Sequence, residues 1–128
     1  MGANIDASDL SLVAAEDLSE KQFYIVSLTS DGEITLADGG ADCVIDIGVL
    51  QNKPESGYVG TVRYACGKKT KVKLGGTVTI GARATASSGT AIITTTEGAR
   101  TLGIFTKAGS TGEIGELLLE PGYYPNAG

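Results

Sequence analysis

Few residues in this chain can carry chemistry, and their spacing narrows what they can do. Lys69, Lys71 and Lys73 alternate with Thr70 and Val72. A period of two places the three ammoniums on one face of a strand. Such a row is either a solvated face whose charges guard a strand edge or a basic stripe that meets an acidic partner. Asp38, Asp42 and Asp46 are the densest acidic group. Their spacing would align them on a helix, but Gly39-Gly40 and Val44-Ile45 intervene and favour a loop running into a strand. There they would hold a calcium ion weakly, and a solvated surface is the simpler reading. Gly67-Lys68-Lys69-Thr70 matches the end of a phosphate-binding loop, yet Val62 stands where its first glycine belongs and no helix follows. Cys43 and Cys66 are too few for a metal cage or a disulfide framework and read as small, buried, reduced residues. The chain has no histidine, which removes the commonest acid/base group, metal ligand and partner of a nucleophile. No catalytic residue, cofactor site or metal site is expected. The residual enzymatic readings are carboxylate chemistry and a carrier lysine at the Lys68-Lys69 turn.

The elements that would hold these residues repeat. Ile47-Gly48-Val49-Leu50 returns 55 positions later as Leu102-Gly103-Ile104-Phe105. In the same register Gly57, Gly60 and Gly67 fall on Gly112, Gly115 and Gly122, and Val59 and Val62 on Ile114 and Leu117. Glycines and apolar residues persist while nearly every polar residue changes. Backbone geometry and burial are thus kept and surface chemistry is discarded, the opposite of what an active site requires. Nineteen glycines in 128 residues, with many Thr and Val, favour short strands joined by tight turns. Phe23 to Leu28, Glu33 to Leu36, Cys43 to Leu50, Tyr58 to Cys66, Thr70 to Leu74 and Ala91 to Thr95 read as strands, with others between and after them. Nine or ten strands and no long helix give an all-β fold, a compact barrel or sandwich of two β units packed together. The expected organisation is a flexible amino-terminal arm over 1–15, one β domain over 16–122 with its pseudo-repeat at 47–67 and 102–122, and a tail over 123–128.

The net charge of −5 and the scarcity of aromatic residues argue against nucleic acid as a partner. No apolar run approaches the ~20 residues of a membrane helix, and the amino terminus lacks the pattern of a signal peptide. A soluble protein made in the cytosol is expected, with no membrane partner. Ile5, Leu10, Leu12 and Val13 are apolar positions in an otherwise polar arm. They can pair as a strand where an edge is offered. Tyr123 and Tyr124, flanked by Pro and Gly, suit a subunit interface or a cap on the end of the β domain.

Several segments in order resemble the small capsid decoration, or cement, proteins of tailed bacteriophages. They are Asp17 to Tyr24, Leu28-Thr29-Ser30-Asp31-Gly32, Ile47 to Pro54, Val72 to Gly81 and the second Leu102-Gly103-Ile104. The resemblance implies a β-tulip or β-clip type of barrel. It also implies a homotrimer on the exterior of the expanded shell, the major capsid protein as partner and an amino-terminal arm that orders on that shell. A module that recognises carbohydrate or a receptor, on the virion or on a cell surface, is the alternative.

Overall fold

The computed structural model describes residues 8–125. Ten strands form two five-stranded antiparallel sheets, and no helix occurs among the described residues. The first sheet comprises β1 (Asp9–Val13), β2 (Ile25–Leu28), β3 (Ile34–Leu36), β4 (Ile45–Leu50) and β5 (Val59–Arg63), in the order β1-β5-β4-β2-β3. The second comprises β6 (Lys69–Lys73), β7 (Arg83–Ser87), β8 (Thr90–Ile93), β9 (Arg100–Phe105) and β10 (Ile114–Tyr123), in the order β6-β10-β9-β7-β8. Each strand of the second sheet thus holds the place of the strand five earlier. The repeat is a duplication of the whole five-strand unit, well beyond the segments that reveal it in the sequence.

The hydrogen bonds repeat as well. Ala14 N donates to Tyr58 O and Leu74 N to Glu113 O, each at 2.9 Å. Leu18 N reaches Pro54 O and Val78 N reaches Gly109 O, again at 2.9 Å. At one end of each sheet a parallel bridge ties the two edges together, Ala14 to Ile34 in the first and Leu74 to Ala91 in the second. Each sheet curls around its own apolar filling without closing into a barrel, so the compact all-β fold expected from the sequence takes its two-sheet form. A single bridge cannot continue the ladder, because Glu16 takes over beyond it and accepts from Leu36 N.

Alternation explains the filling. Ala14, Leu18, Val26, Ile34, Leu50 and Val62 cluster within the first unit. Their counterparts Leu74, Val78, Ala84, Ala91, Phe105 and Leu117 belong to the cluster of the second. Large and small residues exchange places between the copies, so volume is conserved while identity is not. Ile25 and Val49 neighbour Val26 and Leu50 and so occupy the opposite face of the first sheet. Both are fully buried in the second unit's cluster, which makes them the apolar seam between units. The turn after β7 completes that seam, with Ile25 N donating to Gly89 O at 2.7 Å and Gly89 N to Ala37 O at 2.9 Å.

Several boundaries differ from the sequence reading. Residues 9–13 are strand β1, paired with β5 from Asp9↔Arg63 to Val13↔Val59, rather than part of a flexible arm. The carboxyl-terminal strand extends to Tyr123 across a register shift between Leu119 and Gly122, where Pro121 can add no ladder donor. The strand expected from Phe23 begins at Ile25, because Phe23 has φ 70°. Its counterpart in the second unit is Gly81, φ 89°, and both backbone N–H groups donate equivalently, to Leu50 O and Phe105 O. Glycine takes this left-handed conformation freely and Phe does not. The Phe ring is retained against the second unit's apolar cluster.

Candidate functional site

The lysine stripe lies on β6, the edge strand of the second sheet. Lys69 and Lys71 are exposed and Lys73 half-buried, while Thr70 and Val72 point inward. Each cation has a different neighbour. Lys69 pairs with Glu116 at 3.6 Å, and Lys71 sits 5.7 Å from the centre of the Phe23 ring. Lys73 faces Ile114 across the ladder, and its backbone N–H donates to Phe23 O at 2.8 Å. Arg63, not singled out in the sequence, joins this group from the first unit. It holds Asp9 at 3.0 Å and donates to Lys69 O at 3.3 Å, so it spans both units. Phe23, Gln51, Arg63, Lys69, Lys71 and Glu116 line a groove of about 370 Å³. A hydrogen bond from Thr106, 2.8 Å away, holds the Glu116 carboxyl below its ordinary value, with the charges of Lys69 and Lys107 adding to it and desolvation opposing it. The arrangement fastens one unit to the other, and the side chains of Arg63, Lys69 and Lys71 are engaged by partners of this chain.

The acidic residues do not converge. Asp38 accepts from Gly40 N at 2.8 Å, and this bond, with a second from Cys43, lowers its pKa. Asp42 is exposed in the loop, and Asp46 lies on β4. No group suited to a metal ion gathers among the described residues. Cys43 is half-buried with its thiol on Leu36 O at 3.3 Å, whereas Cys66 is exposed, contrary to the burial expected of it. The turn at Gly67 places Cys66 outside the apolar filling.

Of the arm residues, Ile5 lies outside the described residues. Leu12 packs against the first unit's cluster, while Leu10 and Val13 are each 37% exposed. Val13 lies opposite Val59, with Tyr58 next to it, and all three are exposed apolar side chains at one end of β1. Ser8 O and Ala14 N bond toward the β5 side. Antiparallel alternation therefore turns the backbone groups of Asp9, Ser11 and Val13 outward. No described residue pairs with them. The counterparts on β6 are covered by the first unit, Lys73 by the Phe23 carbonyl and Lys69 by Arg63. The first unit covers the β6 edge at Lys69 and Lys73, whereas among the described residues nothing covers its duplicate on β1.

Tyr123 is 60% exposed, with the Arg100 guanidinium 5.4 Å from its ring centre. Tyr124 is fixed through its backbone, its N–H on Ala99 O at 2.8 Å and its carbonyl accepting from Gly98 at 3.0 Å. Arg100 also donates from Nε and one terminal nitrogen to the main-chain oxygen of Asp46, at 3.2 and 3.1 Å. Burial raises the pKa of the Asp46 carboxyl, opposed by the nearby Ser27 hydroxyl and Arg100. A raised folded-state value means the ionised carboxylate disfavours the fold, and stability falls as pH rises through the raised value. Asp46→Asn is therefore expected to raise Tm modestly at pH 7. The advantage should vanish below about pH 3.8, the ordinary carboxyl value, and melting curves across that range check it.

These features define an all-β protein of two duplicated five-stranded sheets. No family model and no curated protein sequence matches the chain. Among solved structures it is similar to the base of the head fiber protein gp8.5 of bacteriophage phi29, the crystal structure of its amino-terminal portion. The TM-score is 0.64 at 16% identity, covering 88% of this chain and 92% of that one. The chain shares its fold with that phage head protein.

Proposed function

We propose that this protein is a structural component of a bacteriophage head that binds the exterior of the expanded shell and reinforces it. In this reading it acts as a homotrimer, with the major capsid protein as partner and the open β1 edge as the docking strand. The observation that carries the reading is the asymmetry of the duplication. The first unit bonds to the β6 edge at Lys69 and Lys73, and the equivalent β1 edge has no partner among the described residues beside Val13, Val59 and Tyr58. A shell segment added there would gain main-chain hydrogen bonds and apolar contact together. The shared fold with a phage head protein supports the location. Three linked edges raise effective concentration, so weak single contacts suffice. Preference for the expanded shell stabilises that state by linkage. The net charge of −5 discourages adhesion to packaged DNA.

Ser11→Pro tests the edge. It removes an outward N–H and no ladder bond, so the fold should melt within a few degrees of the parent. Binding to expanded heads lacking this protein, measured by co-sedimentation, should weaken by at least about tenfold, the effect of ~1.4 kcal/mol. Undiminished binding removes the edge from the mechanism, and a monomer by light scattering at micromolar concentration removes the trimer.

A further inference from the structure

Charge is segregated along this chain. Residues 22–52 carry five Asp or Glu and no Lys or Arg, whereas residues 53–73 carry six Lys or Arg and one Glu. The fold sends part of each stretch to opposite ends of the same two strands. Because β2 and β4 are antiparallel, the turn after β2 and the loop before β4 lie together at one end, and the entry to β2 and the exit of β4 at the other. At the first end two adjoining depressions share Ala41 and Asp42. Glu16, Asp31, Glu33 and Asp38 line them with no Lys or Arg, and Val44 beside them is 64% exposed. At the other end a groove of about 420 Å³ is lined by Lys53, Lys73, Phe23, Tyr24 and Ile114, the last 49% exposed. Among the described residues neither lysine has an ion-pair partner, Glu20 on the groove's rim included, and neither do Asp31, Glu33 and Asp42.

Both ends depart from the repeat. Opposite Ile114 stands Lys73, where the first unit sets Val13 opposite Val59. Ser88-Gly89-Thr90 precedes Ala91 in the second unit, where Asp31-Gly32-Glu33 precedes Ile34 in the first. Packing within a unit therefore does not require these charges. A half-buried ammonium without a counter-ion is costly, and like charges gathered at one end repel one another. Bringing the two ends together relieves both, and Val44 and Ile114 add an apolar contact to the charged one. A foreign acidic partner would satisfy the groove alone, whereas a second copy of this chain satisfies both ends. Contact between two different patches is heterologous, the kind of interface from which a three-fold ring is built. We propose that the acidic end of one protomer, Asp31, Glu33 and Asp42 with Val44, seats on the Lys53, Lys73 and Ile114 groove of the next, an inference that rests on the homotrimer reading above.

Light scattering across micromolar concentrations of the full chain tests it. Lys53→Glu with Lys73→Glu, and separately Asp31→Lys with Asp42→Lys, should each weaken association at least about tenfold, since each sets like charges against one another. All four reversals in one chain should restore the parent's association to within severalfold. Melting curves check that each variant folds. Should Lys73→Glu unfold the chain, Lys53→Glu alone, at an exposed position, should still weaken association severalfold. Raising NaCl from ~0.1 M to ~1 M shortens the screening length from ~10 Å to ~3 Å and should weaken the unmodified assembly severalfold. An unmodified chain that stays monomeric would remove the trimer and this contact together. A trimer that survives either reversal, that the combined reversal fails to restore in a folded chain, or that is indifferent to salt would remove this contact and leave the trimer standing.

Discussion

Gly103→Ala should destabilise the protein by at least about 3 kcal/mol, the upper range for forcing atoms into a packed interior. Against a total stability of roughly 5–15 kcal/mol that leaves a chain near its unfolding threshold at 37 °C. The cause is the approach of backbone to backbone. A Cβ on Gly103 would land on the Leu118 carbonyl oxygen, and Leu118 C and Leu119 Cα stand close behind it. No rotamer change relieves such a contact, because the obstacle belongs to the neighbouring strand of the same ladder. Gly48, the counterpart in the first unit, meets Arg63 O and Val62 in the same way, so Gly48→Ala should be comparably damaging. Gly112→Ala is the control. It has φ 88° and no neighbour within 4 Å of an added Cβ, so only the left-handed strain of ~1–2 kcal/mol should appear. Thermal and denaturant melting of the three variants would separate close approach from conformational strain. Equal losses at all three positions would show that the β4–β5 and β9–β10 ladders are looser than described.

The same glycines account for what could be read from the sequence. Where two strands approach too closely for any side chain, selection has one residue to use, so Gly48 and Gly103 survive in register. The first three strands of each unit carry no such constraint. Their connections differ in length, Leu12 becomes Val72 and Phe23 becomes Gly81, and the duplication is invisible there. The all-β class and the number of strands were legible through alternation and turn residues, as was the exposure of Lys69 and Lys71, while Lys73 is half-buried. The arm was misjudged over 9–13 because pairing depends on whether a partner edge exists, which a local pattern does not reveal. The contacts between units were illegible for a related reason. Ser27 and Asp46 are ladder partners in the first sheet and Arg100 and Tyr123 in the second, and the two pairs meet only where Arg100 donates to Asp46 O across the seam. Arg63 similarly joins the lysines only because its strand ends beside β6. Cys66 was read as buried from residue type alone, while its position within the turn closed by Lys68 N on Ala65 O decided otherwise.

Ile34→Ala is expected to cost about 2–5 kcal/mol, the range for truncating a large buried aliphatic residue to alanine. The duplication predicts its own remedy. Ile34 is bridged to Ala14, and the equivalent bridge in the second unit joins Leu74 to Ala91. The bulky residue has moved from one side of the bridge to the other, and both versions are fully enclosed. Both also fill the same space. A Cβ on Gly60 would touch Ile34 and Leu50, and a Cβ on its counterpart Gly115 would touch Leu74. Ala14→Leu in the Ile34→Ala background should therefore restore at least half of the lost stability. Ala14→Leu alone should overpack the first unit and cost about 1–3 kcal/mol. The coupling energy from such a cycle should be large and favourable, as expected for residues that share one cavity. Additive losses would mean that the cavity left by Ile34 collapses or is filled from elsewhere, and that the two bridges are similar in topology without being interchangeable in packing.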